Sequence, residues 1–160
     1  MSLRYVDTAL PRPRWRATVS RQVVPTLQLG VEYNPVAGEV GPLVTWFLMT
    51  EGERRPAMFI GTSSDRIGSP EGTQSYYLTT AKYLPALRTS PYVSLNYSEW
   101  DQGWNVPFGA TIELGGGFSA RSMYDGNRTH LLGSYATGHV SATVIWAWLE
   151  RAGVALSIGF

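Results

Sequence analysis

The chain has 160 residues, 44% hydrophobic and 16% charged, with 17 Gly, 10 Pro, six Trp, nine Tyr and no Cys. That length buries one core of ordinary domain size, the aromatic content excludes a disordered chain, and the lack of cysteine excludes disulfides, thiolate metal sites and a cysteine nucleophile. Thirteen basic residues against twelve acidic ones leave a net charge of +1, which argues against nucleic-acid binding through bulk charge.

Charge is nevertheless uneven, because Arg4, Arg12, Arg14, Arg16 and Arg21 crowd the start of the chain against Asp7 alone. We read 1–13 as a solvated basic arm or an extra strand, and 14–160 as a single β-barrel domain. The first residues have no apolar run of signal-peptide type, being broken by Pro11, Pro13 and the arginines, so an exported protein would be present here in mature or truncated form.

From residue 14 onward, short alternating runs separated by Gly, Pro, Asn and Asp predict strands. The first is 14–23. In 26–34, Leu27, Leu29, Val31 and Tyr33 share one face, with Gln28, Gly30 and Glu32 on the other. Strands follow at 43–50, 56–62, 74–83 and 91–97. Across 104–114, Val106, Phe108, Ala110, Ile112 and Leu114 oppose Asn105, Gly109, Thr111 and Glu113. After 117–124 and 129–136, the run 139–148 sets Val140, Ala142, Val144, Trp146 and Trp148 on one face, and 154–160 closes the series. A run at 2–9 is the least marked. The stretch 129–149 has the length of a membrane helix, but Ser134, Thr137, Gly138, His139, Ser141 and Thr143 exclude that reading.

The connections fall into two sets that alternate along the chain. One set is tight and includes Val24-Pro25, 115–117 and Thr137-Gly138. The other is longer on average and carries Glu39, Asp65, Glu71, Glu99, Asp101, Asp125 and Glu150 against Arg66, Arg128 and Arg151. Such alternation predicts an all-β, antiparallel up-and-down barrel of about 8–12 strands with two unlike rims, one net acidic.

Alternation alone does not say whether the apolar face turns inward, as in a soluble barrel, or outward to lipid. Three features favour a transmembrane barrel. The polar positions are mostly Gly, Ser, Thr, Asn and Gln, with few Lys or Glu. Trp15, Tyr33, Trp46, Tyr83, Tyr92, Tyr97, Trp100, Trp104, Tyr124, Trp146 and Trp148 lie near strand ends, where interfacial girdles form. The chain also ends on an aromatic residue. Against this, strands of eight or nine residues tilted by about 40° reach roughly 20–23 Å, slightly short of an apolar band of about 25 Å.

The ending Val154-Ala155-Leu156-Ser157-Ile158-Gly159-Phe160 resembles the closing strand of Gram-negative outer-membrane β-barrel proteins. Gly61-Thr62-Ser63-Ser64-Asp65-Arg66-Ile67-Gly68 and Met123-Tyr124-Asp125-Gly126 suggest a small subgroup of that family. The resemblance implies a bacterial outer-membrane location, with the lipid bilayer and the barrel-assembly machinery as partners. Val154, Leu156, Ile158 and Phe160 would be the assembly signal, and the last strand would pair with the first.

Within such a barrel Gln28, Glu32, Glu113 and Arg121, and with them Arg16, are expected to face the lumen, and their charges to fill and plug it. Ser64, Asp125 and His130 fall on one rim and are the candidates for a nucleophile, an orienting acid and a base. Each has a plainer reading, as an exposed polar group, a turn aspartate or a structural histidine. His130 and His139 sit at opposite ends of one hairpin, so no metal site is expected, and no cofactor motif is present. Gly115-Gly116-Gly117 is a turn and not a phosphate cradle. The leading expectation is therefore a membrane barrel with a structural, binding or narrow-pore role toward a small solute. The alternatives are a small rim-site hydrolase acting on lipid or glycan, and a soluble barrel holding an apolar ligand.

Overall fold

The computed structural model describes residues 1–159, so Phe160 lies outside the described residues. Its strands are β1 (Ser2–Val6), β2 (Trp15–Val24), β3 (Leu27–Asn34), β4 (Glu39–Met49), β5 (Ala57–Ser64), β6 (Gln74–Ala81), β7 (Thr89–Ser98), β8 (Gly103–Asn105), β9 (Phe108–Gly115), β10 (Phe118–Tyr124), β11 (Thr129–Thr137), β12 (Val140–Ala147) and β13 (Arg151–Ile158). One helical turn, α1 (Pro11–Arg14), precedes β2.

Hydrogen-bonded neighbours in the sheet run antiparallel to one another. β8 and β9 both pair with β7, so they are successive pieces of one strand broken at Val106 and Pro107. Proline supplies no N–H to a ladder, but its carbonyl still accepts from the Ser94 N–H at 2.8 Å. The sheet closes where β1 lies between β2 and β13, with Ser2 opposite Ser157 and Tyr5 opposite Val154. The result is a closed 12-strand antiparallel β-barrel with no free edge.

Within the 2–9 run Ser2–Val6 is therefore a wall strand, the extra strand that is one of the two readings of 1–13. Backbone bonds from Ile158 to Met1 and from Asp7 to Ala152 extend its pairing beyond its five residues at both ends. β4 begins at Glu39 and not at 43, because pairing with β3 carries the extended backbone through Pro42, opposite Val31. The connections divide as the sequence suggests. The terminal rim, which carries the N-terminus and the end of β13, holds 25–26, 50–56, 82–88, 116–117 and 138–139. The opposite loop rim holds 7–14, 35–38, 65–73, 99–102, 125–128 and 148–150.

Polarity runs opposite to that of a water-soluble core. Among the described residues, the buried apolar side chains are Val6, Pro13, Ile145 and Ala147, against thirteen buried polar or charged ones. Large apolar residues instead project from the wall, such as Val144 at 65% and Trp104 at 68% exposure. Outward aromatics pair across strands near the loop rim, Tyr5 with Trp15, Tyr97 with Trp104 and Phe108 with Tyr124. Near the terminal rim Phe118 pairs with Tyr135, and Trp46 is half exposed. Tyr92 departs from the expected girdle, because its position in β7 turns it into the lumen. There it stands beside Gly109 of β9, where an added Cβ would come within 2.9 Å of the ring.

Candidate functional site: the polar lumen and the loop rim

The inward positions of the strands surround a cavity of about 870 Å³. It extends from Ser2, Ala81 and Ser90 toward the terminal rim to Asp65, Arg66 and Ile67 under the loop rim. An open cavity of that size remains beside the Arg16–Glu32 pair and Arg121, which corrects the expectation that these charges fill and plug the lumen.

Glu32 is the centre of the buried network. It is 1% exposed, forms an ion pair with Arg16, and accepts hydrogen bonds from Ser64 Oγ at 2.6 Å and Asn34 Nδ2 at 3.0 Å. Arg4 stands directly opposite Arg16 in the β1–β2 register and lines the cavity. A gap of about 10 Å³, room for about one water, lies among Arg4, Arg12, Arg16, Glu32 and Ser64. Gln28 belongs to the same inward row as Glu32 and donates from Nε2 to Ser20 Oγ at 2.9 Å. Arg121 lines the cavity and donates from Nε to Thr111 Oγ1 at 2.8 Å. Glu113, expected in the lumen, is instead exposed near the terminal rim, where Tyr83 donates its hydroxyl to it at 3.0 Å.

The loop rim is drawn across the barrel by charged groups. Arg12, held in α1 by two flanking prolines, is 5% exposed. It pairs with Glu39 at 2.9 Å and donates to Ser69, to Thr73 and to the Pro70 carbonyl, tying the 65–73 loop down. Asp65 starts that loop by accepting from the Arg66 N–H at 2.8 Å and from Ser98 Oγ at 2.6 Å. Arg66 then makes a two-pronged contact with Asp101 and lies over the Trp100 ring at 4.3 Å. That contact holds the Asp101 carboxyl below its usual range. Above it, Arg66, Ile67 and Asp125 also border an outer pocket of about 310 Å³ between Trp100 and Trp148.

The candidate catalytic residues all reach the lumen, but they do not assemble. Ser64 gives its hydroxyl to Glu32. The Trp148 N–H points at His130 Nδ1 at 3.2 Å, so that nitrogen carries the lone pair and Nε2 carries the proton toward Asp125 Oδ2, 2.8 Å away. Neither imidazole nitrogen is free to take a proton from a serine. Burial raises the Asp125 pKa, but hydrogen bonds from His130 and from the Arg128 and Asn127 N–H groups outweigh it, and the carboxyl sits below its usual range. His139 lies at the terminal rim, at the other end of β11.

Sequence reasoning missed Arg4, Arg12 and Asn34. The signal available was their parity: Arg4 and Ser2 alternate with Leu3 and Tyr5, and Asn34 continues the Gln28–Glu32 row. Arg12 could not be found by parity, because it sits on a helical turn outside the strands. Comparison with known proteins finds no matching family model, no curated protein of similar sequence and no solved structure of similar fold, so function has to be read from the residues themselves.

Proposed function

We propose that the chain is a β-barrel of a bacterial outer membrane that acts by binding or guiding a small solute, with a lumen narrowed at the loop rim, and not by turnover. The observation that carries this reading is the distribution of polarity: large apolar side chains face out from the wall, while the buried polar and charged groups sit inside, beside apolar residues such as Leu43, Phe59, Met123 and Leu132. In water such a wall would expose far more contiguous apolar surface than a monomeric protein tolerates, whereas in lipid it is matched. Aromatic pairs near both ends of the wall fit the interfacial girdles of such barrels. Strands β2, β4, β7 and β11 run 10, 11, 10 and 9 residues, within the roughly 9–11 that a tilted spanning strand needs, and β3, β5, β6, β9, β12 and β13 run 8. The barrel-assembly machinery is the partner that the ending of β13 suggests. An apolar ligand inside a soluble barrel is disfavoured, because the rings of Trp15, Trp46, Trp104 and Trp146 are on the outer wall.

Refolding in detergent micelles, beside the same chain in plain buffer, tests the proposal. A β-rich, monodisperse state only in micelles, with gel mobility that changes on boiling, is the expected outcome. A folded monomer in detergent-free buffer would overturn it.

A further inference from the structure

We propose that the lumen binds a small oxyanion, a carboxylate or phosphate group, on the guanidinium groups of Arg4 and Arg16. Like charges placed directly opposite across two strands repel, yet Arg4 and Arg16 occupy such a pair in the β1–β2 register. Only one of them is compensated. Glu32 is already engaged by Arg16, Ser64 and Asn34. Arg12, the third arginine of the cluster, is taken by Glu39 and the 65–73 loop. Among the described residues Arg4 has neither an ion pair nor a side-chain hydrogen bond, and the Nε atoms of Arg4 and Arg16 are both buried without an acceptor.

A buried donor without a partner costs about 1–3 kcal/mol, more when it is charged. The β1–β2 pair therefore presents one guanidinium with no counter-ion of its own and two buried N–H donors without acceptors, in a cluster where Glu32 Oε2 and Asn34 Oδ1 also lack hydrogen-bond partners and Asp65 borders the same gap. Both arginines border the 870 Å³ cavity, which has the size of a small-molecule site. An oxyanion there would supply the missing counter-ion, and a planar guanidinium matches carboxylate and phosphate in a two-pronged contact. The cavity reaches Ser2, Ala81 and Ser90 toward the terminal rim, while Arg66 and Ile67 border its other end, so the ligand would enter from the terminal rim.

The inference rests on the barrel and its polar lumen and deepens the proposed binding role, but it does not depend on the surrounding medium. Gel mobility and the detergent requirement report on the membrane barrel, whereas titration reports on the site. Calorimetric titration of the refolded chain with sodium phosphate, and separately with sodium acetate, at constant ionic strength made up with chloride, should give saturable heat for at least one of them. Which salt binds distinguishes phosphate from carboxylate as the ligand group. Arg4→Gln should weaken that binding at least tenfold, whereas Arg14→Gln, which removes an exposed charge on α1, should leave it unchanged. Should Arg4→Gln fail to fold, the unaltered chain still decides, because the binding salt must raise its resistance to urea above that in equal chloride. Absence of saturable heat with both salts, equal binding by Arg4→Gln, or no gain in urea resistance would each overturn the proposal.

Discussion

His130 and Asp125 are held by each other and by backbone N–H groups, so their role in this geometry is to fix the loop rim. His130→Ala should leave the Trp148 N–H and one Asp125 oxygen unpaired, at about 1–3 kcal/mol of stability, measured by urea unfolding in micelles. Because the folded Asp125 pKa is depressed, its stabilising contribution is complete above the ordinary carboxylate range and is lost as pH falls through the folded value. The stability difference between the wild type and Asp125→Asn should therefore shrink as the medium is acidified below pH ~4, and a difference constant over that range would contradict the assignment. Next to this pair, Trp148 and Leu149 turn the β12–β13 hairpin with φ of 57° and 58°, closed by the Glu150 N–H on the Ala147 carbonyl at 3.0 Å. Consecutive left-handed residues form the turn type that suits a tight hairpin and favours glycine. Leu149→Gly should accordingly raise stability by roughly 0.5–1 kcal/mol in the same assay.

At the scale of single elements, the alternation of each strand separates two environments. Val144 in the middle of β12 points outward, and Thr143 beside it lines the cavity and shares a hydrogen bond with Ser134 at 2.8 Å. In a lipid-facing wall Val144→Arg should cost about 2–4 kcal/mol near the middle of the apolar band. On a water-facing wall the same change would be almost neutral, so the urea midpoint of this variant reports which medium the wall meets. The 65–73 loop is the second element with a definite mechanical role. Its position depends on Arg12, a residue 53 or more places earlier in the chain, as well as on its own turn bonds, such as the Ser69 N–H on the Arg66 carbonyl. Arg12→Ala leaves Glu39 without its cation, which for a buried pair costs about 3–5 kcal/mol. Faster cleavage within 65–73 by added protease is expected, and an unchanged rate would show that Arg66 and Asp65 hold the loop without it.

For the whole molecule, closure of the sheet is the property on which everything else depends. The outward apolar side chains do not meet one another in a core, because the inner face surrounds a cavity lined by Ser, Thr, Asn and charged groups together with Leu43, Met123 and Leu132. Such a chain gains much of its stability from backbone ladders closed on themselves. At the terminal rim Phe47, Phe59 and Tyr77 form an inward aromatic group, and at the loop rim the Arg12 and Arg66 networks narrow the passage. The lumen is thus asymmetric along its axis.

The sequence by itself determined the strands, their antiparallel order and the two unlike rims, because a period of two and the Gly, Pro, Asn and Asp punctuation are local properties of the backbone. Thus 26–34 and 139–148 were legible within a residue or two of β3 and β12. It also grouped Gln28 with Glu32 on one face of the strand, since parity survives any choice of tertiary structure. What only the tertiary structure decided was which groups meet. The closure of β1 on β13 decided between a basic arm and an extra strand, and placed Arg4 opposite Arg16. Ser64 went to Glu32 and not to His130, 66 residues later, because contacts across a barrel are set by strand order and register, which no local pattern encodes.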